Sequence, residues 1–326
     1  MPEIKKIGVF CSGGDSPGMN ACIRAVVRTG IYHHLEVVGI MRGYDGMIDG
    51  EFIQMDAKSV SNILQHGGTI LKTARSPRFL TDAGMEQAYQ QLQKAKIDAV
   101  VAIGGDGTFR GAKAFHAKYN IPFVGCPGTI DNDLFGTDFT IGYDTAINTA
   151  MEALDKIRDT AASHDRLFIV EVMGRDAGFI ALRSGIAAGA EAVLVPETKT
   201  NIEKIIATLE RGWSRAKSSS IIVVAEGDEA GGAFAVAEEL KKRHSNYDIR
   251  VSVLGHMQRG GAPTCMDRVN ASEMGMGAVE ALLEGKFNVM IGKIHRNLSY
   301  TSFDQATKHH VDVNPNLLKM IEILSL

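Results

Sequence analysis

The 326-residue chain lacks the sequence features of several protein classes. Its four cysteines, Cys11, Cys22, Cys126 and Cys265, show no CxxC spacing and no clustered histidines, so neither a zinc site nor a disulfide scaffold is predicted. No apolar run approaches the ~20 residues of a membrane span, and the run that ends at Cys11 is too short for a signal peptide. A formal net charge of −3 gives no electrostatic reason to expect a nucleic-acid partner. Free thiols fit a reducing compartment, so we expect a soluble cytoplasmic protein that binds neither nucleic acid nor membrane.

Short apolar runs alternate with helical patterns along most of the chain. The runs that predict strands are 7–11, 35–40, 98–103, 121–125, 167–172, 192–195, 220–225 and 249–254. Because they are apolar throughout and separated by helices, they favour an α/β fold with parallel sheets covered on both faces. Such strands could form one barrel or two doubly wound domains. We favour two domains, with a boundary near residue 140, because the glycine-bearing loops fall into two groups.

The first glycine-bearing loop is SGGDSPG at 12–18, between strand 7–11 and a predicted helix. Glycines let backbone N–H groups approach an anion, and a helix N-terminus favours negative charge. Ser16 is predicted as the N-cap of that helix and Pro17 as its first residue. The loop matches neither G-x-G-x-x-G nor G-x-x-x-x-G-K-[ST], so it favours a phosphate group without indicating a dinucleotide site or a P-loop.

Carboxylates follow two other predicted strands. Asp106 lies in GGDGT (104–108), where it could reach a Mg²⁺ held by phosphates; the alternative is a tight turn with an N-capping Asp. Asp131 and Asp133 lie in PGTIDND (127–133), after strand 121–125, and the alternative there is an Asx-rich surface turn. Crowded acids stay ionised only beside a metal, an Arg or a proton donor. Since strand ends meet at one sheet edge, these acids would share one cleft.

Charged residues follow the strands of the second half as well. Arg175 follows strand 167–172, Glu226 ends strand 220–225, and His256 and Arg259 follow strand 249–254. A single cation at a strand end is usually structural. Acids in the first half and cations in the second, all at strand ends, together indicate a metal–nucleotide site that faces an anionic substrate.

Five stretches, in order along the chain, closely resemble the bacterial ATP-dependent 6-phosphofructokinase family. They are SGGDSPGMNACIR (12–24), GGDGT (104–108), PGTIDND (127–133), EVMGRDAG (171–178) and VLGHMQRGG (253–261). The last forty residues match poorly. The resemblance implies two doubly wound Rossmann-like α/β/α domains with the active site in the cleft between them. An ATP-binding domain would comprise 1–142 plus 258–307, and a fructose 6-phosphate-binding domain 143–257 plus 308–326.

The resemblance also implies site residues for the phosphorylation of fructose 6-phosphate by Mg-ATP in glycolysis. Asp131 would be the catalytic base, assisted by Arg75, Thr129 and Asp133, and Asp106 would hold Mg²⁺. The ATP-binding positions would be Gly14, Tyr44, Arg75, Ser76, Gly105, Asp106, Gly107 and Thr108. The sugar phosphate would be bound by Thr129, Asp131, Asp133, Arg166, Met173, Gly174, Arg175, Glu226, Arg250, His256 and Arg259.

A homotetramer with shared sites is implied too, because Arg166 and Arg250 match residues that reach the substrate of the neighbouring subunit. An effector site for ADP or phosphoenolpyruvate between subunits would use Arg24, Arg28, Arg158, Glu191, Arg215 and Lys217. The sequence departs from the family pattern at Ala57, where the family has an Arg, and at Ser76 and Leu80, which replace a Phe and an Arg in the nucleotide region. Regulation and nucleotide preference are the properties that these departures affect.

Three alternatives remain open. In the pyrophosphate-dependent relatives Asp and Lys stand at the positions of Gly107 and Gly128, so the two glycines favour ATP. A lipid or NAD kinase shares a GGDG-type loop but lacks PGTIDND and HMQRGG. A catalytically silent nucleotide or sugar-phosphate sensor would have no need of Asp131, Asp106 and Arg75 together.

Overall fold

The computed structural model of the chain describes residues 4–163, 166–213, 219–243, 248–308 and 312–325. The chain divides into two compact units. Unit 1 comprises Met1–Ile130, Leu134–Thr145 and Arg259–Val311, and unit 2 comprises Asp131–Asp133, Ala146–Gln258 and Asp312–Leu326. Each unit is built from three separate segments of the chain.

Unit 1 contains a seven-stranded sheet with helices on both faces. Its strands are β1 (Lys6–Ser12), β2 (Glu36–Ile40), β3 (Phe52–Met55), β4 (Ala99–Gly104), β5 (Phe123–Pro127), β10 (Val289–Ile294) and β11 (Asn297–Ser302). Their order across the sheet is β11-β10-β5-β4-β1-β2-β3. Its helices are α1 (Met19–Tyr32), α2 (Tyr44–Asp49), α3 (Asp82–Ala95), α4 (Asp106–Tyr119), α9 (Cys265–Leu283) and α10 (Phe303–Lys308).

Unit 2 contains a four-stranded, fully parallel sheet. Its strands are β6 (Leu167–Val172), β7 (Ala192–Leu194), β8 (Ser220–Ala225) and β9 (Ile249–Val253), in the order β7-β8-β6-β9. Its helices are α6 (Phe179–Ala187), α7 (Ile202–Trp213), α8 (Gly232–Arg243) and α11 (Pro315–Leu324), together with most of α5 (Tyr143–Ala162).

The burial of β1 explains why residues 7–11 are apolar throughout. Ile7, Val9 and Cys11 lie in a core cluster with residues of α1 and α9, whereas Phe10 lies in a second cluster with residues of α2, α3 and α4. A strand buried on both faces has no polar side, so alternation disappears. All eight predicted runs contain a strand, and the α/β fold is confirmed.

The expectation of purely parallel sheets is wrong for unit 1. The strands β3, β10 and β11 were not predicted, and the β2–β3 and β10–β11 pairs are antiparallel. The hairpin of β10 and β11 lies within the last forty residues, beyond the five stretches that resemble the family. It extends the sheet beyond β5 by parallel pairing of β10 with β5.

The predicted start of α1 is also wrong. The helix begins at Met19, and its N-cap is Gly18, with φ of 107° and no side-chain hydrogen bond at the cap. Ser16 contributes its backbone carbonyl, which accepts the Met19 N–H at 3.3 Å. The Pro17–Gly18 turn therefore precedes the helix, and only glycine adopts that left-handed φ at no steric cost.

No helix within the described residues is long and apolar enough to cross a bilayer.

Candidate active site

Two glycine-bearing loops of unit 1 lie side by side at the carboxyl edge of its sheet. The chain runs from β1 to β2 on one side of β1 and returns to β4 on the other, so β1 and β4 flank the point where the strand order reverses. Ser12 at the end of β1 pairs with Gly104 at the end of β4, and Thr108 Oγ1 donates to the Ser12 carbonyl at 3.2 Å. Such a reversal is where open α/β sheets bind ligands.

Asp106 is the first residue of α4, and Gly105 rather than Asp106 is the N-cap. The Asp106 side chain is 36% exposed, and its Oδ1 accepts a hydrogen bond from Arg110 Nε at 2.9 Å. The described residues contain no group of three or more His, Cys, Asp or Glu that could hold a metal ion. A single half-exposed carboxylate suits a Mg²⁺ whose other ligands are phosphate and water oxygens.

Gly107 and Gly14 differ in the space around them. A Cβ atom at Gly107 would meet nothing within 4 Å, whereas one at Gly14 would lie 2.7 Å from Arg259 Nη1. Arg259 is 9% exposed, and its Nη1 donates to the Asp15 carbonyl at 3.1 Å. The cation expected for the sugar phosphate therefore lies against the first glycine-bearing loop.

Arg75 is held near the same loop by its neighbours along the chain. Thr73 Oγ1 donates to the Gly13 carbonyl at 2.9 Å, and the Gly13 N–H donates to the Ala74 carbonyl at 3.5 Å. The Arg75 side chain is exposed. An exposed guanidinium beside a loop of backbone N–H groups suits an anionic ligand.

Ser76 and Tyr44 make mainly internal contacts. Ser76 Oγ donates to Asp45 and accepts from the Phe79 N–H. Tyr44 is 5% exposed and stacks on Phe79 with ring centroids 3.9 Å apart. Its hydroxyl donates to the Thr108 carbonyl at 2.6 Å. In this arrangement Tyr44 supports the first turn of α4 from behind.

The segment PGTIDND begins in unit 1 and ends in unit 2. The Gly128 N–H donates to the Gly104 carbonyl at 3.0 Å, which continues the β4–β5 pairing. Thr129 is 8% exposed and its carbonyl accepts from Thr140 Oγ1 at 2.7 Å. The backbone around Thr129 is therefore held by parts of unit 1, and Asp131 follows two residues later.

Within unit 2, Asp131 lies beside a cation. Asp131 is 2% exposed, and Arg175 Nε lies 3.5 Å from its Oδ2. Glu226 Oε1 accepts the N–H groups of Gly174 and Arg175, at 3.3 and 2.8 Å. Gly174 has φ of 140°, which bends the loop after β6 toward Asp131. Arg175 is thus a cation that lies against the buried Asp131 carboxylate.

Met173, Glu226 and His256 come to one edge of the unit 2 sheet because β6 lies between β8 and β9. The Met173 N–H donates to Gln258 Oε1 at 3.4 Å, and His256 is exposed in a short 3₁₀ turn, Gly255–Arg259.

Arg166 and Arg250 lie at the opposite edge of that sheet. Arg166 precedes β6, Arg250 is the second residue of β9, and both contact Asp248, at 2.8 and 3.1 Å. At a rise of about 3.3 Å per residue, the extended chain of β6 places Arg166 about 23 Å from Met173. The two arginines therefore do not join the residues at the carboxyl edge of their own sheet.

The predicted effector residues are dispersed. Arg24 and Arg28 lie one turn apart on α1. Arg158 Nη2 donates to the carbonyls of Ala188 and Gly189, and the buried Glu191 accepts the Ile221 N–H. Arg215 and Lys217 lie outside the described residues, and Ala57 is exposed.

Two residues of this region were not predicted from the sequence. Thr140, which binds the Thr129 carbonyl, lies in a loop with no recognisable pattern. Asp267 accepts the N–H of Gly142, two residues after Thr140. The sequence signal for Asp267 is the helix-capping spacing Thr264-x-x-Asp267. In the structure the Asp267 N–H donates to Thr264 Oγ1 at 3.2 Å.

A sequence model of the family described as "Phosphofructokinase" matches residues 6–282. An ATP-dependent 6-phosphofructokinase of Cytophaga hutchinsonii is 55% identical over 322 residues, which cover 99% of this chain and 98% of that protein. ATP-dependent 6-phosphofructokinase 1 of Thermus thermophilus is 53% identical over 323 residues, covering 99% and 100%.

Solved structures agree with these matches. The phosphofructokinase of Saccharomyces cerevisiae superposes with a TM-score of 0.89 at 37% identity, over 93% of this chain and 45% of the much longer yeast chain. A pyrophosphate-dependent phosphofructokinase from Marinobacter aquaeolei superposes with a TM-score of 0.84 at 24% identity, over 96% and 86%, which shows a common fold.

Proposed function

This chain belongs to the phosphofructokinase family, and we propose that it transfers the γ-phosphoryl group of ATP to fructose 6-phosphate in the cytoplasm, giving fructose 1,6-bisphosphate in glycolysis. The observation that carries the proposal is the near-complete match to relatives named ATP-dependent 6-phosphofructokinase. A base beside a cation, Asp131 with Arg175, is the chemistry that this transfer needs.

We assign ATP to unit 1 and the sugar phosphate to unit 2. Unit 1 carries the paired glycine-bearing loops, Asp106 and Arg75, which suit a polyphosphate. The carboxyl edge of the unit 2 sheet carries Arg175 and His256, which suit a single phosphate. Phosphofructokinase chemistry requires both groups of residues, and PGTIDND contributes to both units.

Asp131 takes the proton from the attacking sugar hydroxyl as that oxygen bonds to the γ-phosphorus. The bond from the γ-phosphorus to the β,γ-bridging oxygen breaks in the same step, so ADP leaves with that oxygen. Arg175, 3.5 Å away, favours the charged carboxylate that a base requires. Arg75 stabilises the negative charge that moves between the two substrates. Phosphoryl transfer depends on such positioning and charge neutralisation more than on covalent chemistry.

Asp106 is the proposed protein ligand of Mg²⁺. Its position at the start of α4, beside the backbone N–H groups of that helix, is compatible with a cation that arrives bound to phosphates. The ion would neutralise charge on the transferring group. Arg110 pairs with one oxygen of the Asp106 carboxylate. The same ion pair orients the other oxygen, which is the proposed ligand of the ion.

The choice of ATP over pyrophosphate is supported by two glycines. The open space at Gly107 leaves room for the inner phosphates of a nucleotide. A Cβ at Gly128 would lie 2.9 Å from Met19 Cε and 3.0 Å from Ile103 Cγ2, so a lysine there would require the packing beneath the loop to shift.

Donor choice tests the proposal directly. Purified protein is incubated with fructose 6-phosphate and Mg²⁺. One reaction contains ATP and the other contains pyrophosphate, and fructose 1,6-bisphosphate is measured in both. We expect product with ATP only. Product with pyrophosphate would overturn the argument from Gly107 and Gly128, and no product in either reaction would favour the sensor.

We also propose that active sites are shared between subunits of a homotetramer. The support is the position of Arg166 and Arg250, which lie about one strand length from Met173 and Glu226 of their own sheet. Both arginines form ion pairs with Asp248 at the surface, where they are available to a second copy of the chain.

Mixing two inactive variants tests this sharing. Asp131→Asn and Arg250→Ala subunits, each impaired alone, are expected to recover about a quarter of the wild-type activity after random reassembly, since one site in four then combines both intact residues. Asp131→Asn subunits taken through the same reassembly without the second variant serve as the control. No recovery in verified mixed oligomers would refute sharing.

Regulation by ADP or phosphoenolpyruvate at an effector site is proposed with Arg24, Arg28, Arg158, Glu191, Arg215 and Lys217. In the described part of the chain Arg24 and Arg28 make no hydrogen bond or ion pair, so both cations are available to a phosphate. Arg158 is engaged at the end of α6 instead. We expect ADP to shift the fructose 6-phosphate concentration at half-saturation in the wild type and not in Arg24→Ala. An unchanged half-saturation in the wild type would remove the proposal.

A further inference from the structure

Residues 140–142 run alongside the end of β5 and hold the loop that leads to Asp131. The Ile141 N–H donates to the Pro127 carbonyl at 2.7 Å, and Gly128 forms an isolated parallel bridge with Ile141. Thr140 Oγ1 donates to the Thr129 carbonyl at 2.7 Å, and Thr140 is 1% exposed. We name residues 140–142 the clamp segment.

The same segment touches the first glycine-bearing loop. A Cβ at Gly18 would lie 2.8 Å from Ile141 Cγ2, and one at Gly142 would lie 2.5 Å from Ser16 Cβ. Both loops of unit 1 that lead to reacting groups are therefore packed closely against the clamp segment.

One buried carboxylate anchors the clamp segment to α9. Asp267 is 1% exposed. Its Oδ1 accepts the Gly142 N–H at 2.8 Å, and its Oδ2 accepts both the N–H and the hydroxyl of Thr145, at 2.8 and 2.6 Å. The Thr145 hydroxyl in turn accepts the Thr264 N–H at 3.0 Å. Hydrogen bonds of the Asp267 carboxylate and the Thr145 hydroxyl thus connect the start of α5 to the start of α9.

We propose that Asp267 is a positioning residue for phosphoryl transfer: with the Thr145 hydroxyl, its carboxylate fixes the clamp segment, and the clamp segment fixes Thr129 and the chain that continues to Asp131. The proposal rests on the proposed function and adds to it a residue that touches neither substrate. Transfer is sensitive to such support because a displacement of about 1 Å in a reacting group can cost about 100-fold in rate.

The chemistry of the contacts favours an ionised Asp267. All three groups that face the carboxylate are donors, and a neutral carboxyl would turn its own O–H against one of them. Burial raises the pKa of Asp267 to about 6, with the three donors acting in the opposite direction. The carboxylate is therefore charged at neutral pH. Asp144, whose carboxylate accepts from Thr264 Oγ1, acts on Asp267 as a like charge and so raises its pKa.

The test compares Thr145→Val with Thr145→Ser. Valine keeps the shape and removes the hydroxyl, whereas serine keeps the hydroxyl. We expect Thr145→Val to lower kcat about 10- to 100-fold with KM for both substrates within about threefold, and Thr145→Ser to stay within about threefold of the wild type. Asp98→Asn is the control, because Asp98 also accepts two backbone N–H groups, those of Lys5 and Lys6, but at the opposite edge of the sheet. It should retain kcat.

Amide hydrogen exchange of residues 127–133, measured without substrates, gives a second readout that does not depend on activity. We expect exchange there to be about tenfold faster in Thr145→Val than in Thr145→Ser. If the wild type makes no product, the proposed function fails and the exchange data still decide the inference. Equal kcat values, or equal exchange, in the two variants would overturn it. If Thr145→Val does not fold, Asp267→Asn, which turns an amide NH₂ toward these donors, takes its place with the same expected results.

Discussion

Replacing Asp131 by Asn is expected to lower kcat by about 100- to 10,000-fold, the usual contribution of a positioned general base. The variant keeps the size of the side chain and one oxygen but cannot accept the proton of the sugar hydroxyl. Because the base acts in the transition state, KM for both substrates should stay within about threefold. Steady-state kinetics with saturating ATP and varied fructose 6-phosphate measure both quantities.

Asp138→Asn is the matched control for Asp131→Asn. Asp138 lies seven residues further along the chain, and its Oδ2 accepts the His295 N–H at 2.9 Å, so its task is to hold the turn between β10 and β11. Its replacement should change stability and leave kcat within about twofold. If Asp131→Asn also keeps kcat within a few-fold, Asp131 is not the base.

The second large effect is expected at Gly107. Gly107→Asp should lower kcat/KM for ATP about 100- to 1,000-fold, because a carboxylate placed against the inner phosphates brings like charges together, at a cost of several kcal/mol. The stability of the fold should not fall. A Cβ at Gly107 meets nothing within 4 Å, and an acid in the first turn of α4 interacts favourably with the helix dipole. Activity with ATP would fall while Tm stays level or rises.

Gly107→Asn separates charge from size. Asn fills the same volume without the charge, so we expect its loss in kcat/KM to be at least about tenfold smaller than that of Asp. Equal losses in the two variants would mean that crowding rather than repulsion excludes the nucleotide. An unchanged kcat/KM in Gly107→Asp would place the inner phosphates elsewhere.

Much of the fold and the position of the candidate site could be predicted because of a simple physical relation. Strands buried on both faces have continuous apolar sequences, as β1, β4 and β8 do, and their ends mark the sheet edge where ligands bind. Polar residues just after such runs are therefore candidates for a site on sequence grounds alone. Which of them touch one another cannot be predicted in this way.

The residues that the sequence did not reveal depend on long-range contacts or on unusual turns. Arg175 was expected near the sugar phosphate, and its proximity to Asp131 depends on the bend at Gly174 and on Glu226. The β10–β11 hairpin is not predicted from the sequence because its two-residue turn is His295–Arg296, with φ of 46° and 74°. Turns of this type usually carry Asn or Gly, so no local signal marked the turn.

The pairing of β5 with β10 has a consequence for synthesis on the ribosome. All of unit 2 except its last segment is translated after β5 and before β10. During that interval the outer edge of β5 has no partner strand, and its unpaired N–H and C=O groups are open to another chain. The sheet of unit 2 draws on one continuous stretch of the chain, so it can fold first. Nascent chains truncated just before Val289 should therefore aggregate more readily than chains that extend past Ser302.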